Sequence, residues 1–391
     1  MPWFLRYDAF SIRAIRLQNG SGAPDWRRIH QMTNHAGAIH NRAIIIDGHS
    51  DILMPVADGK MRLTEEFRLP DPAAWQAPLG WRRSAEAELY DMSAHTDYFQ
   101  TMGHYDIPRF LAGGLTAQAM AIFIDGQHLD RPLHRALEMI YWLQREAEES
   151  PDFSLITTVE DIIGIKEAET TGGFLTFEGF EPLESDLKLL DVFHALGLRM
   201  ASMTHSRRNF FADGTQLGVK TGGLTAPGKA AVKRMNELGI VIDLAHLNLA
   251  GCWDVAGLTD APIVLSHCSP RRNFPDDPTS SPLYPDLVDE TSRPLLDAIA
   301  KTGGVIGIIA YSQPTLADFL DDIDAAIRAI GPDHVALGTD FFGIDRAPTG
   351  FTGMHELPNV TQGLLDRGHS DEAILKILGE NYLRVFRAVW N

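Results

Sequence analysis

Cysteine is nearly missing, with Cys252 and Cys268 the only two in 391 residues. That excludes a disulfide framework and a thiolate zinc finger, and it reads as two reduced, buried thiols in a cytoplasmic protein. Basic residues are outnumbered, 34 Lys and Arg against 52 Asp and Glu, a formal net charge of −18. A chain of this sign repels polyanions, so neither nucleic acid nor an anionic membrane surface is an expected partner. No apolar run approaches the ~18 residues that a spanning helix needs. The start, Met1-Pro2-Trp3-Phe4-Leu5-Arg6, lacks the pattern of a secretory signal, and Val385–Asn391 lacks that of a lipid anchor. Catalytic signatures are missing as well. No Gly-x-Gly-x-x-Gly turn follows the first strand-like run, and there is no P-loop and no Gly-x-Ser-x-Gly. His355-Glu356 continues as Leu357-Pro358-Asn359, not as a zincin helix. Dinucleotide enzymes, NTPases, serine α/β-hydrolases and zincins are thereby disfavoured.

What the chain does have is alternation. Short apolar runs end in a polar residue and are followed by helix-like segments, the pattern of a parallel sheet covered by helices. The runs predict eight strands: Ala43–Asp47, Leu115–Ile124, Gly173–Phe177, Arg199–Thr204, Ile240–Ala245, Pro262–Ser266, Val305–Ala310 and His334–Gly338. Helices are expected over Arg131–Glu149, Asp186–Leu196, Ala226–Leu238, Arg293–Lys301 and Leu316–Ile330. In Ala226–Leu238 the apolar face is read as Ala230, Val232, Met235 and Leu238, with Gly239 as the stop. Eight strands with helices between them predict an α/β fold of the (β/α)8 TIM-barrel type. Residues 1–42 are expected as an N-terminal extension packed on the barrel, and residues 43–391 as a single domain. The long connections 52–114 and 270–292 follow strands, so they are candidate walls of a pocket.

The strand ends carry the chemistry. They run into His49 and Asp51, Glu178, His205, His246, His267, Tyr311 and Asp340, at the rim where barrels place reactive groups. His49 and Asp51, two residues apart just past a strand, point the same way and can share an ion. Imidazole and carboxylate suit Zn²⁺, Mn²⁺ or Fe²⁺. The inventory provides two sites, His49, Asp51 and Glu178 for one ion and Glu178, His246 and His267 for the other, with Glu178 bridging. Two ions about 3.5–4 Å apart can hold a bridging hydroxide and polarise a carbonyl. Asp340 is the expected proton handler, or else a third carboxylate ligand, and His205 the expected partner of the substrate carbonyl. An Arg on the loop Cys268-Ser269-Pro270-Arg271-Arg272-Asn273 can pair with a substrate carboxylate.

Taken in order, Asp47-Gly48-His49-Ser50-Asp51, Phe177-Glu178-Gly179, Thr204-His205-Ser206, Val241 to His246, Leu265-Ser266-His267, Arg271-Arg272-Asn273 and Gly338-Thr339-Asp340-Phe341 resemble the membrane (renal) dipeptidases and their bacterial relatives. Asp106-Ile107-Pro108-Arg109 and Gly379-Glu380-Asn381-Tyr382-Leu383-Arg384 extend the likeness over roughly residues 43–388. The resemblance implies a binuclear zinc dipeptidase on a (β/α)8 barrel, with His49, Asp51, Glu178, His246 and His267 as ligands. It further implies that His205 contacts the scissile-bond oxygen, Asp340 is the acid/base, Arg272 binds the C-terminal carboxylate of the dipeptide and Tyr311 lines the pocket. Short dipeptides, some with a C-terminal D-residue, are the implied substrates, and a homodimer the implied assembly. The alternative within the same chemistry is a binuclear amidohydrolase acting on a lactam, a cyclic amide or an N-acyl amino acid. The sequence departs from the family pattern at Phe342, where a second acid is usual. After His205 it carries Arg207 and Arg208, and one or the other is expected to add a cationic wall that favours an acidic side chain.

Overall fold

The computed structural model describes residues 34–66, 105–215, 222–269, 293–311, 313–344 and 347–390. Nine parallel strands are present among them: β1 Ile46–Asp47, β2 Ala117–Phe123, β3 Phe153–Leu155, β4 Thr171–Glu178, β5 Leu198–Ser202, β6 Val241–Asp243, β7 Ile263–Cys268, β8 Val305–Ile308 and β9 Val335–Leu337. β1 pairs with both β2 and β9, and β2 pairs with β4 along its whole length, so eight of the strands close into a barrel. The chain is a (β/α)8 barrel. The ninth strand, β3, was not expected. It hydrogen-bonds only to the first residues of β4, whose later residues pair with β5, and it exposes Ser154 and Leu155.

β2 and β4 are buried along their whole lengths, because the barrel interior lies on one face and a helical layer on the other. The helices Ala226–Leu238, Arg293–Lys301 and Leu316–Ile330 lie where expected; two others are shorter, Pro132–Glu149 and Leu189–Ala195. The helix Ala226–Leu238 shows why. Thr225 caps its start by accepting from the Gly228 N–H, and Gly239 ends it at φ 75°. Its buried face is Gly228, Ala231, Val232 and Met235, spaced three and four apart, so Ala231 packs inward and Ala230 is exposed. The helices Val159–Glu167 and Leu249–Ala256 were not anticipated.

Every barrel strand contributes to an apolar cluster at the N-terminal end of the barrel: Ile46, Ala117 with Ala119, Phe174, Met200, Val241, Val264, Val305 and Ala336. The C-terminal helix Asn381–Val389 closes that end with Tyr382, Leu383, Phe386 and Val389. Tyr382 reaches inward until its hydroxyl donates to the Ser266 carbonyl at 3.2 Å. Gly48 leaves room for it, since a Cβ there would lie 2.0 Å from the Tyr382 oxygen.

Of the N-terminal segment, the described part is the helix His35–Arg42, in which His40 bonds Thr361 at 2.7 Å and the Gly113 carbonyl at 2.9 Å. Residues 67–104 of the connection 52–114, the connection 270–292, and Arg271 and Arg272 with it, lie outside the described residues.

Candidate active site

Strand geometry places the polar rim. Side chains alternate along a strand, so two residues beyond the apolar layer come small inward-facing groups, and beyond these the rim. His49 follows β1 by two residues, and His205, His246 and Asp340 follow β5, β6 and β9 by three. Glu178 is the last residue of β4. His267 lies inside β7, not after it as the sequence suggested. The register of β7 against β8 slips between Leu265 and Cys268, and this irregularity falls on Ser266 and His267.

The loops after β1 and β9 are fastened together. Asp340 N donates to the His49 carbonyl at 3.1 Å, Asp51 N to the Phe341 carbonyl at 3.1 Å, and Ser50 Oγ to the same carbonyl at 2.9 Å. Two buried carboxylates work beneath the rim. Asp47 accepts from Thr339 N at 2.7 Å, Thr339 Oγ1 at 2.8 Å and Gln118 Nε2 at 2.8 Å, linking β1 to β2 and β9. Burial lifts Asp47 to about 6 against these bonds. Asp243 accepts from Ala245 N at 3.0 Å and Ser266 N at 2.9 Å, joining the segments that carry His246 and His267. Sequence reasoning gave neither carboxylate a role. The available signal was an Asp at the end of an otherwise apolar strand, Ile44-Ile45-Ile46-Asp47 and Val241-Ile242-Asp243.

On this platform the side chains converge. His49 Nε2 lies 3.9 Å from Asp51 Oδ2, 3.6 Å from Glu178 Oε1 and 3.6 Å from Asp340 Oδ1. Glu178 Oε1 is 2.9 Å from His246 Nε2 and 3.7 Å from His267 Nε2. Three trios bring their donor atoms within 4.8 Å of one another: His49, Asp51, Glu178; Glu178, His246, His267; and His49, His267, Asp340. The first two are the groupings expected from the sequence. The third gives Asp340 a place where it could also touch an ion. His205 stands alongside, its ring 4.2 Å from that of His246 and 4.5 Å from Phe123, with Nδ1 2.7 Å from Ser206 Oγ. Tyr311 is half-buried three residues past β8, packed against the apolar core.

Electrostatics single out the same residues. Burial pushes the His49 imidazole down to about 3 and His246 to about 4; His205 and His267 are also held well below the usual range. Burial, then neighbouring carboxylates, raises Asp51, Glu178 and Asp340 well above theirs. Neutral imidazoles therefore cannot balance the carboxylates. Among the described residues, no Lys or Arg lies within 4.0 Å of Asp51, Glu178 or Asp340. His49 Nε2, Asp51 Oδ1 and Glu178 Oε2 are buried without a hydrogen-bond partner. Orphaned donor atoms of this kind, in nitrogen and oxygen sets, fit a divalent cation. His246 and Asp340 hold left-handed backbone, φ 60° and 59°, as do Phe342 beside them and Glu169 and Glu184 elsewhere, a cost of order 1–3 kcal/mol each.

The profile of the family described as membrane dipeptidase (peptidase family M19) matches residues 33–391. The chain belongs to that family. It is 29% identical over 331 residues to the dipeptidase aclJ of Aspergillus oryzae, covering 78% of this chain and 74% of that one. Against the dipeptidase tcpJ of Claviceps purpurea it is 27% identical over 312 residues, covering 73% and 69%. Among solved structures, a metallo peptidase from Rhodobacter sphaeroides, liganded with a phosphinate mimic of the dipeptide L-Ala-D-Ala, superposes with a TM-score of 0.68 at 22% identity, covering 89% of this chain and 99% of that one. The probable dipeptidase PvdM from Pseudomonas aeruginosa gives 0.68 at 22% identity, covering 93% and 99%. As a family member the chain is a metallopeptidase of the dipeptidase type that uses divalent metal. Among the described residues no helix is long and apolar enough to cross a membrane.

Proposed function

We propose that the protein hydrolyses the peptide bond of short dipeptides with two zinc ions. His49, Asp51 and Glu178 would hold one ion, and Glu178, His246 and His267 the other. The observation that carries this reading is the sharing of Glu178 between two trios whose donor atoms converge within 4.8 Å. When bound, the ions would supply Lewis acidity toward the scissile carbonyl and toward water. The chain's own groups do the rest. Asp340, whose carboxyl is raised by burial and by Asp51 and Glu178, takes a proton from the attacking water and returns it to the leaving amine. Ser206 Oγ lies 2.7 Å from His205 Nδ1, and in the tautomer assigned to this role Ser206 donates there while His205 carries its proton on Nε2 and donates to the oxygen of the scissile carbonyl. The reading extends to Arg272, on the connection after β7, as the partner of the substrate's C-terminal carboxylate, and to Tyr311 as a pocket wall. A C-terminal D-residue is part of the proposed range, supported by the L-Ala-D-Ala mimic held by the Rhodobacter relative.

The second reading, a binuclear amidohydrolase, has support in a structural relative described as an amidohydrolase from Pseudomonas aeruginosa, with a TM-score of 0.65. The test is hydrolysis by zinc-loaded protein of L-Ala-L-Ala, L-Ala-D-Ala and their N-acetylated forms. Cleavage of the free dipeptides alone supports a dipeptidase. Equal or better cleavage of the blocked forms establishes the amidohydrolase.

A further inference from the structure

The loop after β5 carries two arginines in succession, and the fold gives them different fates. Arg208 is exposed and spends its guanidinium on Asp213, with Nε on Oδ1 and Nη2 on Oδ2. Arg207 is half-buried and turns the other way. Its Nη2 donates to the Ile124 carbonyl at 2.8 Å, just beyond the end of β2. Since β4 lies between β2 and β5, the side chain crosses above the strand that ends in Glu178.

Among the described residues this is the one hydrogen bond of Arg207, and no carboxylate comes within 4.0 Å of it. Its Nε is buried and unpartnered. Its charge is felt by His205, two residues away in sequence, and it attracts Glu181 from a longer distance. The loop beneath it is pinned. Asn209 donates to the Met203 carbonyl at 2.6 Å, and its side-chain oxygen accepts from Phe211 N at 2.9 Å and Ala212 N at 3.2 Å. A guanidinium has five N–H donors in a fork that matches a carboxylate. Here Nε is enclosed, one arm is anchored on a carbonyl, and the charge acts on His205, whose ring lies 4.2 Å from that of His246. A net charge of −18 disfavours the approach of anionic substrates to the molecule as a whole, so a fixed cation on the loop after β5 acts locally against that field.

We propose that Arg207 is a specificity-determining residue that binds a side-chain carboxylate of the substrate, so that the preferred substrates are dipeptides containing an acidic residue. This rests on the dipeptidase reading above. Arg208, committed to Asp213, takes no part.

The experiment uses the full-length zinc-loaded protein and two isosteric pairs, L-Ala-L-Glu with L-Ala-L-Gln and L-Glu-L-Ala with L-Gln-L-Ala. Wild type should prefer the acidic member of at least one pair by about 10–100-fold in kcat/KM, the range expected of a charge-assisted hydrogen bond. Arg207→Gln should remove that preference, mainly through KM, and leave the amide members within about threefold; Arg207→Lys should retain part of it and Arg208→Gln all of it. Inhibition by free glutamate, compared with glutamine, should weaken in parallel in Arg207→Gln, a binding readout separate from turnover. Equal cleavage of acidic and amide members by wild type overturns the inference while leaving the dipeptidase reading in place. So does an equal loss on all four substrates in Arg207→Gln, which would make Arg207 a structural tie to Ile124. Failure of wild type to cleave any dipeptide overturns the dipeptidase reading itself.

Discussion

The two ends of the barrel are built from the same eight strands and solve opposite problems. At the N-terminal end, apolar residues from every barrel strand pack on a helix whose Tyr382 and Phe386 rings lie 5.7 Å apart, and the Tyr382 hydroxyl finds a carbonyl. At the C-terminal end the strands run into three crowded carboxylates and four imidazoles, orphaned donor atoms, and left-handed backbone at His246 and Asp340. The lower end is mainly apolar packing, with an orphaned hydroxyl at Thr171; the upper end gathers its orphaned atoms on the residues that converge. Stability is concentrated at one end so that cost can be tolerated at the other.

The comparison breaks most visibly at Glu178. If the rim is a cation site bridged by this carboxylate, Glu178→Gln lowers kcat/KM by more than about 10³-fold, beyond the 10–100-fold typical of outer-shell changes, and bound metal falls with it. Metal analysis of the purified variant beside dipeptide kinetics checks this; full metal content with full activity would remove Glu178 from the centre. Asp340→Asn comes next. As proton handler it should cost about 10²–10⁴-fold in turnover with metal content unchanged. The trio His49, His267 and Asp340 makes the metal measurement decisive, because loss of an ion in this variant would make Asp340 a ligand.

How much of this was legible in the sequence follows from which forces are local. The barrel was legible because buried parallel strands are continuous apolar runs, and the helices Ala226–Leu238 and Leu316–Ile330 had the expected limits because Thr225, Gly239 and Thr315 act there. The ladders are shorter than the runs. Ala43–Ile45 is apolar and buried or half-buried, yet only Ile46 and Asp47 count as strand, since burial and ladder pairing have different extents. β3 was invisible because three residues with two exposed carry no pattern. The ligand candidates were readable because each sits at the end of such a run. Not readable were the register slip that brings His267 inside β7, the left-handed turn at His246, and the parting of Arg207 from Arg208. Each depends on a partner distant in sequence, β8 for the first, Thr204 and Thr215 on the His246 carbonyl for the second, and Ile124 for the third.

Smaller effects sharpen the comparison by asking whether the ends are energetically separate. In metal-free protein Asp51, Glu178 and Asp340 bind protons more tightly folded than unfolded and cost stability as pH rises above about 4, while the lowered His49, His205, His246 and His267 return stability up to about 6.5, so a net decline should set in above about 6.5. Zinc at about 1,000 times its dissociation constant adds about 4 kcal/mol and should abolish that decline. Urea unfolding from pH 4 to 8, with and without chelator, is the measurement; identical pH profiles would show that the rim carries no uncompensated charge. At the other end, Tyr382→Phe removes only the bond to the Ser266 carbonyl and should cost about 0.5–1.5 kcal/mol at every pH, with or without zinc. Ser266 adjoins His267 and bonds its Nδ1 at 3.0 Å, so this variant also probes the connection between the ends. If the ends are separate, zinc affinity in Tyr382→Phe matches wild type. A tenfold loss would mean that the closing helix holds the β7 irregularity in place, and the division between a stable base and a costly rim would give way to a single strut through the barrel.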